Sequence, residues 1–587
     1  MSLKRYTALV DDGVILFKTS LTYIDYKKII EIVLRKYPDT VVSDRLAEHI
    51  RTREMHVEKR YLMGNEIKQR DSKFSQQFEQ YKQVVDGAMS RKLRDKQMWD
   101  SFFMCTMKKS SNFSVPGSGK TASVLGVYAY LKSRNIVNKL IIVSPKNAFG
   151  SWIDEFEACF NGKEKLNYLN IHDSSYKNTT AKRNALLYES GNCNLILTNY
   201  EAIGGIKEAL KELVKDKALL VFDEVHKVKR VDGEYASHFL EIAQNASYVI
   251  AMTGTPIPNS YLDVYNLLHI LFPDEYNSFF DFSIPMLKRP SANDVNEIND
   301  KIQPFFCRTT KNQLGVPPAN LDSIQSVTAS DTENRILEIL KMKYRRNKLG
   351  LLIRIMQLES NPRMLLSNLN LSDFRYLLDD TVDTNEIDYA DYSQEITKLL
   401  NNAEESTKFN RCVDLACSLI QQNKTAIIWC VFVDSINSLA KALEEKGIKT
   451  CCIYGEVPLE DRLKMIQDFR DGNIQILLTN PHTLAESVSL HSVCHDAIYY
   501  EYSYNLVHLL QSKDRIHRLG LPDDQYTQYY FMQVNYEIED GNWSMDNAVY
   551  QRLKEKEQIM LDAIDNHILE TMPTSQEDLE LICSELF

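Results

Sequence analysis

Apolar positions along this chain follow two rhythms. Over residues 91–320, and again over 406–540, short continuous apolar runs alternate with segments of helical spacing. That is the β–α repeat of a parallel sheet covered on both faces. In the second stretch AIIWCVFV, CCIYG, IQILLTN and DAIYYEY read as strands. Residues 1–90 start with an alternating, strand-like sequence and continue as charged helix, which predicts a small α+β accessory domain. Residues 321–405 read as a helical insertion that ends in an acidic linker, and 541–587 as C-terminal amphipathic helices. The fold class is therefore α/β, with two parallel-sheet lobes.

Composition narrows the class. The chain has 587 residues, enough for about four folding units. With 44% hydrophobic and 25% charged residues it reads as an ordinary globular protein, which excludes disorder, collagen and coiled coil. No apolar run is long enough to span a bilayer, and the N-terminus lacks a secretory leader's apolar core, so no membrane partner and a cytoplasmic location are expected. The eleven cysteines contain no CxxC pair, so neither a disulfide framework nor a structural zinc is expected. A net charge of −11 argues against nucleic-acid binding over the whole surface but leaves room for a local basic groove.

The sharpest chemical signal is Ser114-Val115-Pro116-Gly117-Ser118-Gly119-Lys120-Thr121. Gly117, Ser118 and Gly119 would let backbone N–H groups curl around phosphates, with the next helix pointing its N-terminus at them. Lys120 would add charge at the β- and γ-phosphates, and Thr121 a hydroxyl for Mg²⁺. ATP and Mg²⁺ are the cofactors this implies, although Ser114 stands where the strict phosphate-loop pattern has glycine. Downstream, the apolar run Ala218–Phe222 delivers Asp223 and Glu224 at a strand's C-terminal end. There Asp223 would hold the metal and Glu224 would activate water. Thr253-Gly254-Thr255-Pro256 follows another apolar strand. Much later comes Gln511–Arg518, with a further catalytic candidate in Gln511 and two arginines three apart, Arg515 and Arg518, that share one helix face and could neutralise charge on a transferring phosphoryl group. Each lobe alone is an incomplete ATPase. One site between the two is the expected solution.

In this order and spacing the motifs resemble superfamily-two helicases, and among them the Swi/Snf-type translocases on double-stranded DNA. Leu93–Gln97 is similar to that family's adenine-reading segment, which implies that Gln97 pairs with adenine. Leu140–Lys146, Leu197–Glu201, Thr253–Ser260, Phe306–Lys311 and Gln511–Gly520 resemble further family motifs. Two departures stand out: Ser114 in the phosphate loop, and Thr483–Leu490, which lacks the glycines of the fifth motif. The look is that of a divergent prokaryotic or phage branch. The resemblance implies two RecA-like lobes and a DNA-dependent ATPase that moves along or remodels DNA.

Strand contacts would then come from loop residues at the sheet tips: Ser144, Lys146, Thr198 and Asn199 in lobe one, Thr479 and Asn480 in lobe two. Two basic clusters, around Arg91–Lys96 and Lys341–Lys348, would extend the groove. Double-stranded DNA is the expected partner, read without regard to sequence, and residues 1–90 could dock proteins. Two other readings remain at this point. One is a strand-separating DNA or RNA helicase, the other an ATP-gated subunit of a phage-defence or restriction complex.

Overall fold

The structure is a computed structural model that describes residues 7–11, 14–17, 23–215, 217–225, 228, 234–254, 261–272, 276–345, 347–366, 394–401, 405–484, 488–503, 505–538, 541–562, 580–582 and 586. A short antiparallel hairpin, β1 (Thr7–Asp11) and β2 (Val14–Phe17), opens the chain. The strands that follow build two larger sheets. The first holds β3 (Lys109–Asn112), β4 (Lys139–Val143), β5 (Tyr168–Asn170), β6 (Leu195–Thr198), β7 (Ala218–Asp223), β8 (Tyr248–Met252) and β9 (Phe306–Cys307). They lie in the order β5-β6-β4-β7-β8-β3-β9, all parallel. The second holds β10 (Ser323–Thr328), β11 (Ala426–Trp429), β12 (Thr450–Ile453), β13 (Ile476–Thr479), β14 (Asp496–Tyr499) and β15 (Gln528–Ile538), ordered β10-β15-β14-β11-β13-β12. These run parallel, and β16 (Gly541–Trp543) returns antiparallel along β15. The α/β class and the two parallel sheets are as expected.

Continuous burial of β4, β6 and β7 explains their unbroken apolar sequences, since helices cover both faces of the sheet. The helix Lys120–Ser133 is buried on nearly every side. It lies against the helices Ser75–Ala88 and Asp95–Met107.

Three details differ from the sequence-based layout. The core of the first sheet reaches back to Ile67 and takes in Phe74, Phe78, Tyr81 and Val85, so the boundary expected at residue 90 falls inside it. The strand β10 belongs to the second sheet although it opens the stretch read as a helical insertion. Its side chains alternate in exposure along one edge, a pattern weaker than the apolar runs of the central strands. The helices Asp331–Tyr344 and Lys348–Ser360 bury their apolar side chains in the second sheet's core. The helix Met545–Leu561 closes that core. Its Asp546 takes both oxygens to the buried ammonium of Lys408, 2.8 Å away.

Among the described residues no helix is long and apolar enough to cross a membrane, and no group of His, Cys, Asp and Glu could hold a metal ion by itself.

Candidate active site between the lobes

Register assembles the first lobe's half of the site. Asn112 pairs with Met252 and Met252 with Asp223, so the C-terminal ends of β3, β8 and β7 lie side by side. The loop after β3, the Thr253–Gly254 turn after β8 and the acidic pair after β7 therefore converge, at the edge where α/β sheets bind ligands. A Cβ on Gly254 would lie 2.5 Å from Pro116 Cδ, so the turn is packed against the loop. Residues 255–260 and His226 lie outside the described residues.

The loop itself is shaped by Gly117 (φ 73°) and Gly119 (φ 79°), both left-handed. Gly119 caps the helix Lys120–Ser133 without any side-chain hydrogen bond, which leaves the helix's first N–H groups unspent. Lys120 Nζ donates to the carbonyls of Ser114 (3.0 Å) and Val115 (3.3 Å). Burial pushes its pKa down, while the charges of Glu224, Asp223 and Asp514 pull it up. Ser118 Oγ is buried with no partner among the described residues. The serine in place of glycine has a use: Ser114 Oγ accepts the Thr309 N–H at 3.0 Å and joins the loop to the segment that leads toward lobe two.

Gln97 stands behind the loop. Its Nε2 donates to Ser118 O at 2.9 Å, and its Oε1 accepts the Arg94 N–H at 3.0 Å. The amide thus supports the phosphate loop from behind and caps its own helix. Each of its two polar atoms keeps one further bonding capacity.

Asp223 and Glu224 lie in unlike settings. Asp223 Oδ2 accepts Trp152 Nε1–H at 2.9 Å. Burial, and then the adjacent Glu224 charge, push its carboxyl up to about 7. Glu224 is held in the left-handed region at φ 54°, a conformation that costs a non-glycine residue about 1–2 kcal/mol. Such strain concentrates at functional sites. Its Oε2 accepts from Thr253 Oγ1 at 3.5 Å. Its Oε1 accepts from Gln511 Nε2 at 3.4 Å, across the boundary between the lobes.

The second lobe therefore does reach the loop. The helix Leu506–Lys513 and the turn after it put Arg518 against Gly117, whose added Cβ would sit 2.7 Å from Arg518 Cβ. The Arg518 guanidinium has no hydrogen-bond or ion partner among the described residues, and its carbonyl accepts the Leu521 N–H at 3.4 Å. Arg515 differs. Buried, it donates through Nε to Gln511 O (2.8 Å) and through Nη1 to Val488 O (3.1 Å), both carbonyls of lobe two. The helix face expected to carry both arginines does not extend to them, because the helix ends at Lys513. Thr121 sits half-buried at the helix start.

The expected strand contacts fare less well. Ser144, Thr198, Asn199, Thr479 and Asn480 are all buried, at 0–3% exposure. Asn199 caps the turn Tyr200–Ala202 through Ala202 N–H, and Asn480 donates to Val431 O while accepting from Thr483 Oγ1. The two asparagines at the tips of these parallel strands thus bond within their own loops and to Val431, while Thr198 Oγ1 is buried with no partner among the described residues. Of the six, Lys146 alone is exposed. The first basic cluster is likewise spent: Arg91 pairs with Glu155, Lys92 with Asp86 and Lys96 with Asp100, and Arg94 donates to Leu314 O. Lys341 pairs with Glu338 in the second, and residue 346 lies outside the described residues.

Sequence reasoning placed Trp152 and Lys311 in family-like motifs but not their partners: Trp152 donates to Asp223, and Lys311 pairs with Asp514 on the arginine turn at 2.5 Å. Only the fold brings those partners together.

Comparison with known proteins agrees with this geometry. Residues 114–368 match the SNF2-related domain and residues 407–520 the helicase conserved C-terminal domain. The chain is 23% identical over 465 residues to the ATP-dependent helicase fft1 of Schizosaccharomyces pombe, covering 71% of this chain and 48% of that protein. It is 23% identical over 430 residues to the ATP-dependent DNA helicase DDM1 of Arabidopsis thaliana, covering 69% and 54%. The chain thus spans about half the length of these relatives. Among solved structures it is similar to a Sulfolobus solfataricus SWI2/SNF2 ATPase core in complex with double-stranded DNA. That match has 17% identity and a TM-score of 0.34, covering 84% of this chain and 97% of that one.

Proposed function

Because the chain belongs to the SNF2-related, helicase-like ATPases, we propose that it is an ATP-dependent translocase on double-stranded DNA. The observation that carries the reading is the meeting of lobes: Arg518 packs on Gly117 of the phosphate loop, and Gln511 reaches Glu224. A nucleotide in that cleft touches both sheets, so binding favours the closed arrangement and product release the open one.

In this reading the phosphate loop's N–H groups and Lys120 bind the triphosphate. Ser118 Oγ, buried with no partner among the described residues, fits a phosphate oxygen. Thr121 and Asp223 supply the hard oxygen ligands that suit Mg²⁺, which when bound neutralises charge on the β- and γ-phosphates. Glu224, fixed by Thr253 and Gln511, orients the attacking water and takes its proton. Arg518 presents its guanidinium to the charge that develops on the γ-phosphoryl group, and Arg515 holds the turn that carries it. Gln97 uses its remaining capacities on adenine. The relatives named as DNA helicases support a DNA partner, and exposed Lys146 supplies a phosphate contact free of base reading. With these roles go two RecA-like lobes and an N-terminal segment that docks partners.

ATPase rates measured side by side with duplex DNA, single-stranded DNA and RNA test the proposal. Stimulation by duplex above the other two, with displacement of a triplex strand, is expected. Equal stimulation with efficient unwinding of a tailed duplex would favour a strand-separating helicase. Turnover indifferent to every nucleic acid would favour an ATP-gated subunit of a larger complex.

A further inference from the structure

We infer that Lys311 is a positioning residue that sets Arg518 against the phosphate loop and screens the site from Asp514; the inference rests on the ATPase reading above. Lys311 lies just past the last strand of the first sheet, yet its ammonium belongs to the second lobe's site helix. It pairs with Asp514 Oδ1 at 2.5 Å and donates to His517 O at 2.7 Å and to His517 Nδ1 at 3.2 Å. The His517 Nε2–H donates to Pro317 O at 2.7 Å, which leaves Nδ1 free to accept. Three donors thus meet three acceptors, all of them on the turn that ends at Arg518.

The other end of the strap is just as firmly fixed. Two residues before Lys311, Thr309 N–H donates to Ser114 Oγ at 3.0 Å, and Thr309 O accepts the Val115 N–H at 3.1 Å. A three-residue segment therefore grips the phosphate loop with its backbone and the arginine turn with its side chain. Leu314, Val316 and Leu521 close an apolar contact beside it. The distance between loop and arginine is set by this short piece of chain as well as by any nucleotide.

Charge gives Lys311 a second task. Asp514 is a buried carboxylate whose Oδ2 lies 3.4 Å from the position of a Cβ on Gly117, and its charge reaches Lys120. Without a cation of its own, that carboxylate would compete for Lys120 and repel a triphosphate. Lys311 neutralises it through Oδ1, the oxygen other than the one nearest Gly117.

Steady-state ATP turnover of the full chain tests this. Lys311→Met is expected to lower kcat about 30-fold while the KM for ATP moves less than about threefold, since the loss falls mainly on the transition state. Adding Asp514→Asn to Lys311→Met should restore at least about fivefold of that rate, because the stranded carboxylate is gone. A thermal melt within a few degrees of the unsubstituted chain shows that each variant is folded. Full turnover in Lys311→Met, or a defect that Asp514→Asn does not relieve, overturns the inference while the ATPase reading stands. Absence of turnover in the unsubstituted chain overturns the ATPase reading itself, and the inference falls with it.

Discussion

The phosphate loop and the arginine turn face each other across one cleft, but opposite means hold them. In lobe one the functional groups sit on strand-end loops with left-handed backbone, free of cost at Gly117 and Gly119 but strained at Glu224, and the helix after Gly119 has no side-chain cap. Bonding capacity there is left open. In lobe two Arg515 bonds two carbonyls of its own lobe and Lys513 lies near Asp322 at 3.4 Å, while Gln511 reaches across to Glu224. The Arg518 guanidinium has no bonding partner among the described residues. Lobe one is built to receive a ligand, and lobe two to deliver one charged group to a fixed place. Mutations should therefore separate chemistry from scaffolding differently on the two sides.

The largest effect is expected in lobe one. Glu224→Gln keeps shape and the Gln511 contact but removes the base, so turnover should fall about 10³-fold while ATP binding persists. Single-turnover hydrolysis alongside equilibrium nucleotide binding measures both. Turnover within about tenfold of the unsubstituted chain would remove Glu224 from the chemistry.

The arginines test lobe two directly. Arg518→Ala should cost about 10²-fold in kcat with little change in the melting temperature, because no described residue bonds its fork. Arg515→Ala should show the reverse balance, losing about 1–3 kcal/mol of stability as the Gln511 and Val488 carbonyls go without their donor. Urea unfolding and ATPase rates on the same samples compare them. If the two variants behave alike, the division of labour between them is wrong.

What the sequence made legible follows the same line. Strands buried on both faces announce themselves, and Ala218–Phe222 pointed straight to the acidic pair. The strand feeding the phosphate loop did not, because it reads Lys-Ser-Ser-Asn. Asn112 spends its Oδ1 on the Ser114 N–H, and the strand is placed by its neighbours β8 and β9 more than by its own side chains. Nor was β15 singled out, although Gln528–Ile538 is rich in aromatic and branched residues. Motif spacing found residues that the fold brings to one cleft, Lys120, Asp223, Glu224, Gln511 and Arg518 among them, since chemistry limits the residue types. It did not find which strand-end hydroxyls and amides face outward, because burial of Thr198, Asn199, Thr479 and Asn480 depends on loops whose paths no local pattern specifies.

A smaller effect separates glycines that look alike in sequence. A methyl on Gly119 would lie 2.3 Å from Gln97 Nε2 at a φ of 79°, whereas one on Gly455, in the second lobe, would meet nothing within 4 Å. Gly119→Ala should weaken ATP binding about tenfold, from the left-handed cost plus displacement of Gln97. Gly455→Ala should leave it unchanged within about twofold, since neither strain nor contact opposes the methyl. Fluorescent-nucleotide titration distinguishes them. Equal losses would mean that the loop's shape is not what binds phosphate.

The smallest effect lies at the outer edge of lobe one, beside exposed Lys146. His172 packs its ring near Phe149, with Nε2 buried and without a partner among the described residues, and Nδ1 3.4 Å from Lys182 Nζ. Burial first, then the charges of Lys182 and Lys146, push its pKa down from 6.5 to about 4. A base with a depressed folded pKa contributes stability that is whole above the unfolded value and lost as pH falls through the folded one. The fold should therefore weaken between pH 6.5 and 4, by about 1–2 kcal/mol once solvent screening of a partly exposed ring is allowed for. His172→Gln should flatten that part of the stability curve and leave it unchanged above pH 7. Bound DNA would counter the same two lysines, so duplex should shrink the acid loss in the unsubstituted chain and do nothing in the variant. Denaturant melts at pH 5 and 7.5, with and without duplex, read all four values; parallel acid slopes in the two proteins would show that the imidazole does not sense this surface.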